Sequence, residues 1–454
     1  MKVIVVGGGV AGLTAAHDLG LAGHRVEVLE STDRVGGKLR RAEVAGVGVD
    51  VGAEAMLARR PEGLALCAEL GLEVAHPTAA SPRLWIDGAL RPLPSSVMGV
   101  PLDVDEVAAA GVLSAAGLAR LRAEPTTRME IAEDVSVGDL VDHRLGPEVT
   151  DRLVEPLLGG VYAGQARQIS LRAAVPVLEL MLRSGSLLAG AAAARPDPGA
   201  PRQPVFAALP GGMARLPEAL VAAGHFTVAT ETTVTEISGG PHGFRVRTED
   251  GAVRAADRLV LATPPAPTAR LLRDLAPAAA TDLSRIETAS VVVVTFAFRA
   301  EDVPDAGASG FLVPPDQGRR IKASTFSFAK WDWVREAGRG AGPADEDLLF
   351  LRTSLGRHGE SRALAVEDSA LVAASLADLA DAAGITADPV DVHVQRWGGG
   401  LPQYAVGHQE RVQRIRDAVG AVPGLAVCGA AYDGVGIPAV IASARRAASD
   451  VLAD

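Results

Sequence analysis

Val3-Ile4-Val5-Val6-Gly7-Gly8-Gly9-Val10-Ala11-Gly12 decides how this chain folds. The four apolar residues suit a strand buried on both faces, as in a parallel sheet. Gly7, Gly9 and Gly12 follow in G-x-G-x-x-G spacing, and residues 13–21, rich in alanine, read as a helix. Gly23 closes that helix, residues 24–29 supply a second strand, and Glu30 ends it. Each glycine has a separate task. Gly7 permits the tight turn, Gly9 lets the backbone approach a pyrophosphate, and Gly12 lets helix and strand pack closely. The helix N-terminus presents unpaired N–H groups and its positive dipole end to the phosphates. An acid about 20 residues beyond the glycines is placed to accept hydrogen bonds from a ribose diol, which is Glu30 here, with Ser31 beside it. Strand, glycines, helix, strand and acid in this order predict a dinucleotide site over Gly7, Gly8, Gly9, Val10, Ala11 and Gly12.

Working outward, 454 residues exceed one ordinary core, so two or three subdomains are expected. Hydrophobic residues reach 48%, but no stretch approaches the ~20 apolar residues of a spanning helix. No integral membrane segment is therefore expected, and residues 1–6 do not read as a signal peptide. A net charge of −11 disfavours nucleic acid and anionic lipid as partners. Cys67 and Cys428 are the only cysteines, without disulfide framework or metal-ligand spacing. These features predict a cytoplasmic protein; peripheral membrane contact stays open.

After Glu30 comes Asp33-Arg34-Val35-Gly36-Gly37-Lys38. Paired glycines let a loop lie against a cofactor, while Arg34 and Lys38 can neutralise its phosphates. This Glu-x-x-x-Arg-x-Gly-Gly-Lys pattern resembles the flavoprotein group that includes amine oxidases, phytoene desaturases and porphyrinogen oxidases. The resemblance implies FAD, with Gly52, Ala53, Glu54 and Ala55 beside the flavin ring. It also implies that Val234 contacts the adenine end through its backbone. Near the C-terminus, residues 425–428 read as a buried strand and 429–438 as a Gly-rich loop opening the helix 439–452. By resemblance, Val435, Gly436 and Ile437 meet the electron-rich side of the flavin, where a helix dipole stabilises the reduced anion. Trp397 is a further flavin neighbour by resemblance, with a core tryptophan as its bland alternative.

Three runs narrow the resemblance: Arg144 to Val149, Glu155-Pro156-Leu157-Leu158-Gly159-Gly160-Val161-Tyr162-Ala163-Gly164, and Ile169 to Ala174. They look like the bacterial porphyrinogen oxidase family, as do Leu401-Pro402-Gln403-Tyr404 and Gly407-His408. Lys330-Trp331 matches a family feature too, although the usual following proline is Asp332 here. The implied reaction is oxidation of a porphyrinogen to a porphyrin in three two-electron steps, with oxygen as acceptor and hydrogen peroxide as product. The implied partners are the porphyrinogen and oxygen, with hand-over to the next haem-pathway enzyme left open. Only one dinucleotide fingerprint is present, so no separate NAD(P)H site is expected. No cysteine lies where amine oxidases attach their flavin, which predicts non-covalent FAD.

Coproporphyrinogen III is the favoured substrate and protoporphyrinogen IX the runner-up. Eukaryotic-type members carry an arginine after the Leu-Pro motif, and alignment through Leu93-Pro94 puts Met98 there. Arg59, Arg60 and Lys322 are candidate cations for the substrate's propionates, with Met98 and Gly160 as further candidate substrate contacts. No constellation claims a catalytic base. An amine or carotenoid-type oxidoreductase and a non-enzymatic relative of the GDP-dissociation inhibitors remain as alternatives.

The expected fold is α/β. A Rossmann-type FAD domain (1–80, 205–285, 395–454) carries an inserted antiparallel β-sheet substrate domain (81–94, 286–394). A helical subdomain (95–204) completes it, with a flexible loop over 189–204. Within these limits the sequence predicts single strands over 228–237 and 253–261, one helical stretch over 103–123, an alternating strand over 321–328, and a glycine hinge over 398–400.

Overall fold

The structure is a computed structural model describing residues 1–126, 129–195, 204–240, 243–305 and 307–453. Lys2–Val6 lies at the centre of a five-stranded parallel sheet, flanked by Arg25–Leu29 and Arg258–Leu261, with Thr227–Ala229 and Leu425–Val427 at the edges. Val3 and Val5 point into one core, which contains the helices Val10–Leu21 and Ile437–Asp450. Ile4 and Val6 point into the other, beneath the helices Pro265–Leu272, Pro277–Ser284 and His408–Gly420. A central strand apolar on both faces is thus used on both faces.

Two of the predicted strands are broken. The stretch 228–237 divides into Thr227–Ala229 in the parallel sheet and Val234–Gly240 in a three-stranded antiparallel sheet. Between them Glu231 takes a left-handed φ of 49°, and the backbone N–H groups of Glu231 and Thr232 bond the carbonyls of Thr32 and Glu30 instead of a ladder. The stretch 253–261 divides at Asp257, whose N–H donates to the Lys2 carbonyl while its carboxylate accepts from the Lys2 N–H at 2.7 Å. Asp257 thereby moves the chain from one sheet to the other.

A second sheet has seven strands in the order Asp391–Pro402, Thr288–Arg299, Leu348–Leu355, Ile321–Thr325, Gly310–Leu312, Arg83–Ile86, Ala89–Pro92. The hairpin turning at Asp87-Gly88 therefore joins strands two hundred residues further on, and the helix Asp368–Ala383 covers one face. The glycine hinge over 398–400 is corrected: all three glycines lie within the strand, where the register shifts between Ala289 and Val291 and the Gly399 N–H donates to the Ser290 hydroxyl at 3.0 Å. A bulge absorbs the glycines without breaking the pairing. The alternating strand also ends early, at Thr325, and Ser327–Lys330 form a helical turn.

The helical portion packs around Val107, Leu140, Leu153, Leu158 and Leu187. Gly111, at φ 65°, splits the predicted 103–123 stretch into the helices Val104–Ala110 and Ala115–Arg122. The predicted loop over 189–204 is helical at its start, in Leu187–Ala193, because the Ser186 hydroxyl caps the Ala189 N–H. Residues 196–203 of that loop lie outside the described residues. Among the described residues no helix is long and apolar enough to cross a membrane.

Candidate active site

The glycine loop builds a cradle that can be tested atom by atom. A Cβ on Gly12 would lie 1.9 Å from the Gly7 carbonyl oxygen, so helix and strand approach as closely as the motif requires. A Cβ on Gly9 would meet nothing within 4 Å, so open space faces the N-terminus of the helix Val10–Leu21. No side chain caps that end. Unspent N–H groups facing open space suit a pyrophosphate. Glu30 holds the loop, its carboxylate accepting from the Gly8 N–H at 2.7 Å and from the Thr32 N–H and hydroxyl at 2.9 and 2.8 Å. Ser31 lies beside it, exposed.

The next loop lies on the first: the Gly36 N–H donates to the Gly8 carbonyl, and a Cβ on Gly37 would sit 3.2 Å from the Gly9 Cα. Arg34 spends its guanidinium on its own loop, donating to the carbonyls of Val35 and Gly37 at 3.1 and 2.9 Å. It therefore stiffens the turn as well as charging it. Lys38 keeps solvent-accessible surface although protein surrounds it, and the resulting loss of hydration lowers its pKa.

The third predicted stretch arrives at the same place. The Ala53 N–H donates to the Lys38 carbonyl at 3.0 Å, and the Trp397 indole donates to the Val51 carbonyl at 3.2 Å. Gly52 fits between them, since a Cβ there would lie 2.0 Å from the Lys38 oxygen and 3.1 Å from the Trp397 ring. Beneath this turn is an ion cluster that the sequence reading missed. Glu54, 5% exposed, faces Arg352 at 3.1 Å and Lys330 at 3.8 Å and accepts from the Ser327 hydroxyl at 2.5 Å. Burial opposes its charge, but Arg352, Lys330 and Ser327 together hold its pKa below the usual range. Neighbouring Asp50 has no such cation in contact. Burial pushes its pKa up to about 7, although its carboxylate accepts from the Met213 N–H at 2.9 Å. One signal was available in the sequence: Arg352 is the sole charge in the apolar strand Leu348–Leu355, and a buried charge requires a partner.

The C-terminal helix Ile437–Asp450 packs on the helix Val10–Leu21 and starts at Gly436, again without a side-chain cap. Two family-like residues hold the loop that precedes it. The Tyr404 hydroxyl donates to the Ala430 carbonyl at 2.5 Å, and His408 Nε2 lies 3.0 Å from the Ala431 carbonyl. Their rings stack at 4.0 Å, and burial drops the His408 pKa to about 4. Val435 packs on the helical core together with Met98 and Leu312.

The helix Glu155–Tyr162 runs along one side of this region. A Cβ on Gly159 or Gly160 would meet nothing within 4 Å, so both face open space. At its C-terminal end Ala163 packs with Ala289, Val291, Trp397 and Leu401. Open space thus faces Gly159 and Gly160 on the helix whose end packs against Trp397.

The remaining predicted residues are placed as follows. Arg60 pairs with Glu62 at 2.8 Å and Arg59 is exposed, both next to the helix Pro61–Glu69. A Cβ on Gly63 of that helix would lie 3.3 Å from Pro438, so the two arginines flank the start of the C-terminal helix. Met98 has a left-handed φ of 49°. Val234 begins its strand opposite Thr248, just after the segment bonded to Glu30 and Thr32. Lys322, by contrast, is buried, and its ammonium donates to the Gly356 carbonyl at 3.0 Å.

The sequence pattern of the family described as "Flavin containing amine oxidoreductase" matches residues 10–452. Coproporphyrinogen III oxidase of Mycobacterium tuberculosis is 38% identical, over 99% of this chain and 96% of its own. Protoporphyrinogen oxidase of Bos taurus is 30% identical, over 99% of this chain and 98% of its own. A crystal structure from Exiguobacterium, described as a putative protoporphyrinogen oxidase, superposes with a TM-score of 0.87 at 29% identity, covering 99% of this chain and 98% of its own.

Proposed function

This chain belongs to the flavin-containing amine oxidoreductase family and, within it, to the porphyrinogen oxidases, and from that premise we propose that it oxidises coproporphyrinogen III to coproporphyrin III with non-covalently bound FAD. The observation that carries the substrate is the full-length similarity to coproporphyrinogen III oxidase of Mycobacterium tuberculosis, 38% identical over 99% of this chain. Met98, where eukaryotic-type members have arginine, points the same way.

The residues fit FAD. The backbone around Gly7 to Gly12 and the uncapped helix behind it take the pyrophosphate, and Glu30 takes the ribose diol. Gly52 to Ala55, held by Lys38, Trp397 and Arg352, take the ring edge, while Val435 to Ile437 present the second helix N-terminus. Non-covalent attachment agrees with Cys67 and Cys428 being fully buried, with burial raising their pKa values to about 11 and about 12. When bound, the flavin accepts two electrons at a time and returns them to dioxygen, so full aromatisation takes three turnovers and yields peroxide.

The chain's own task is positioning. A porphyrinogen is flat, largely apolar and rimmed with carboxylates, and it needs a slot that excludes water and fixes the macrocycle over the cofactor. The free space at Gly159 and Gly160, on the helix whose end packs against Trp397, supports this reading. Aerobic assay with both porphyrinogens tests the reading. Porphyrin fluorescence and peroxide should form faster from coproporphyrinogen III; faster turnover of protoporphyrinogen IX would reverse the substrate assignment.

A further inference from the structure

Among the described residues, two neighbouring cations of the second sheet, Lys322 and Arg357, lack an anionic partner. Lys322 is the extra residue of a β-bulge, since Ile321 pairs with Leu355 and Ala323 with the adjacent Ser354. Bulges re-aim side chains and recur beside active sites. Here the bulge brings the Lys322 ammonium to the Gly356 carbonyl, just past the end of the strand Leu348–Leu355. The following residue, Arg357, is half-buried and donates to the Val313 carbonyl at 3.0 Å. An ammonium has three donors and a guanidinium five. Each cation shows a single side-chain hydrogen bond, and among the described residues neither has a carboxylate within ion-pair distance.

The acids nearby are committed elsewhere. Glu360 accepts from the Arg357 backbone N–H at 3.0 Å, and Glu155 accepts from the Ala166 N–H at 2.6 Å. Burial, reinforced by Arg357, depresses the Lys322 pKa to about 7, so the unpaired arrangement has a cost. A buried cation perturbed in this way is a candidate for a functional site.

Their place in the sheet fits a rim contact. Trp397 pairs with Val291, Val292 with Leu355, and Leu355 with Ile321. A Cβ on Gly356 would lie 2.9 Å from the Ser290 carbonyl oxygen, so the residue that Lys322 bonds adjoins the strand paired with that of Trp397. The helix Glu155–Tyr162 packs on the strands Ile321–Thr325 and Gly310–Leu312. The C-terminal end of this helix meets the cation loop, since the His358 N–H donates to the Ala163 carbonyl at 2.6 Å, and Ala163 packs with Val291 and Trp397. A tetrapyrrole lying over the flavin turn would bring a side-chain carboxylate to this loop.

We propose that Lys322 and Arg357 together form the subsite for one carboxylate of the substrate, where the bulge at Lys322 meets the loop after the strand Leu348–Leu355. This rests on the porphyrinogen reading and assigns the cation pair that reading leaves open. The test compares coproporphyrinogen III with its tetramethyl ester in wild type, Lys322→Met, Arg357→Met and Arg357→Lys. Flavin content and melting temperature serve as folding controls, and either Met variant suffices if the other fails to fold. Each Met variant should raise KM for the acid about tenfold, the value of one charged hydrogen bond. KM for the ester and both kcat values should stay within about twofold of wild type, and Arg357→Lys should recover part of the loss. Unchanged KM for the acid, or equal rises for acid and ester, would overturn the subsite while leaving the enzyme reading intact. Wild type oxidising neither form would overturn the porphyrinogen reading and the subsite with it.

Discussion

Arg352 sets its guanidinium against the Glu54 carboxylate at 3.1 Å and, from its other terminal nitrogen, donates to the Gly52 carbonyl at 2.8 Å. One side chain on the second sheet thus neutralises a buried acid and fixes the backbone turn that the flavin reading places beside the ring. Removing it leaves buried Glu54 with Lys330 at 3.8 Å as its remaining cation, a change that costs up to about 3 kcal/mol. Arg352→Met should lower the urea midpoint accordingly and weaken flavin retention on gel filtration. Wild-type stability in that variant would mean the pair contributes nothing to the fold.

Glycine substitutions should separate cofactor binding from folding. Gly9→Ala places its methyl in open space, at an ordinary φ of −74°, so the apoprotein should unfold at the wild-type urea concentration. Its Kd for FAD should rise at least tenfold, because that space is where backbone and phosphate must approach. Gly12→Ala meets the Gly7 carbonyl at 1.9 Å and should destabilise the apoprotein itself by about 1–3 kcal/mol. If both variants lost stability alike, the cradle would be a packing feature alone.

Asp50 should make stability depend on pH in a defined direction. Its folded pKa, about 7, lies above the unfolded value of about 4, so the native state holds a proton that the unfolded chain has released. That contribution is complete below about pH 4 and is lost as pH rises towards about 7. Asn at this position keeps an acceptor for the Met213 N–H and cannot ionise. Asp50→Asn should therefore gain stability relative to wild type between pH 5 and pH 8 in urea titrations. A difference that stayed constant over that range would contradict the assignment.

The buried thiols lead to a chemical prediction. Cys67 and Cys428 should resist a thiol reagent in the native protein and react after unfolding. Acid precipitation should release all the flavin to the supernatant; yellow colour remaining in the pellet would show a covalent bond.

The fingerprint from Val3 to Glu30 was legible because its glycines act through backbone geometry, which depends on local order alone. The Lys38 loop, the Gly52 turn and Trp397 were each recognisable, yet their mutual contact depends on three hydrogen bonds and close approaches between distant segments. Strand boundaries failed at Glu231 and Asp257, where polar residues divert the chain between sheets without any glycine or proline to announce it. The triple glycine misled in the opposite sense: pairing along the strand Thr288–Arg299 outweighs the flexibility of Gly398 to Gly400. Arg352 and Arg357 were passed over because the first reads as part of an apolar strand and the second as part of a loop. Their significance is a matter of partners: Arg352 has a carboxylate, and among the described residues Arg357 has none within ion-pair distance.

The most direct test is anaerobic mixing of the flavin-loaded protein with coproporphyrinogen III and, separately, with protoporphyrinogen IX, followed by admission of oxygen. Fast bleaching of the flavin by the four-carboxylate substrate, then return of the yellow colour with porphyrin fluorescence and peroxide, is the predicted result. Flavin that stays oxidised with both substrates would contradict the account at its centre.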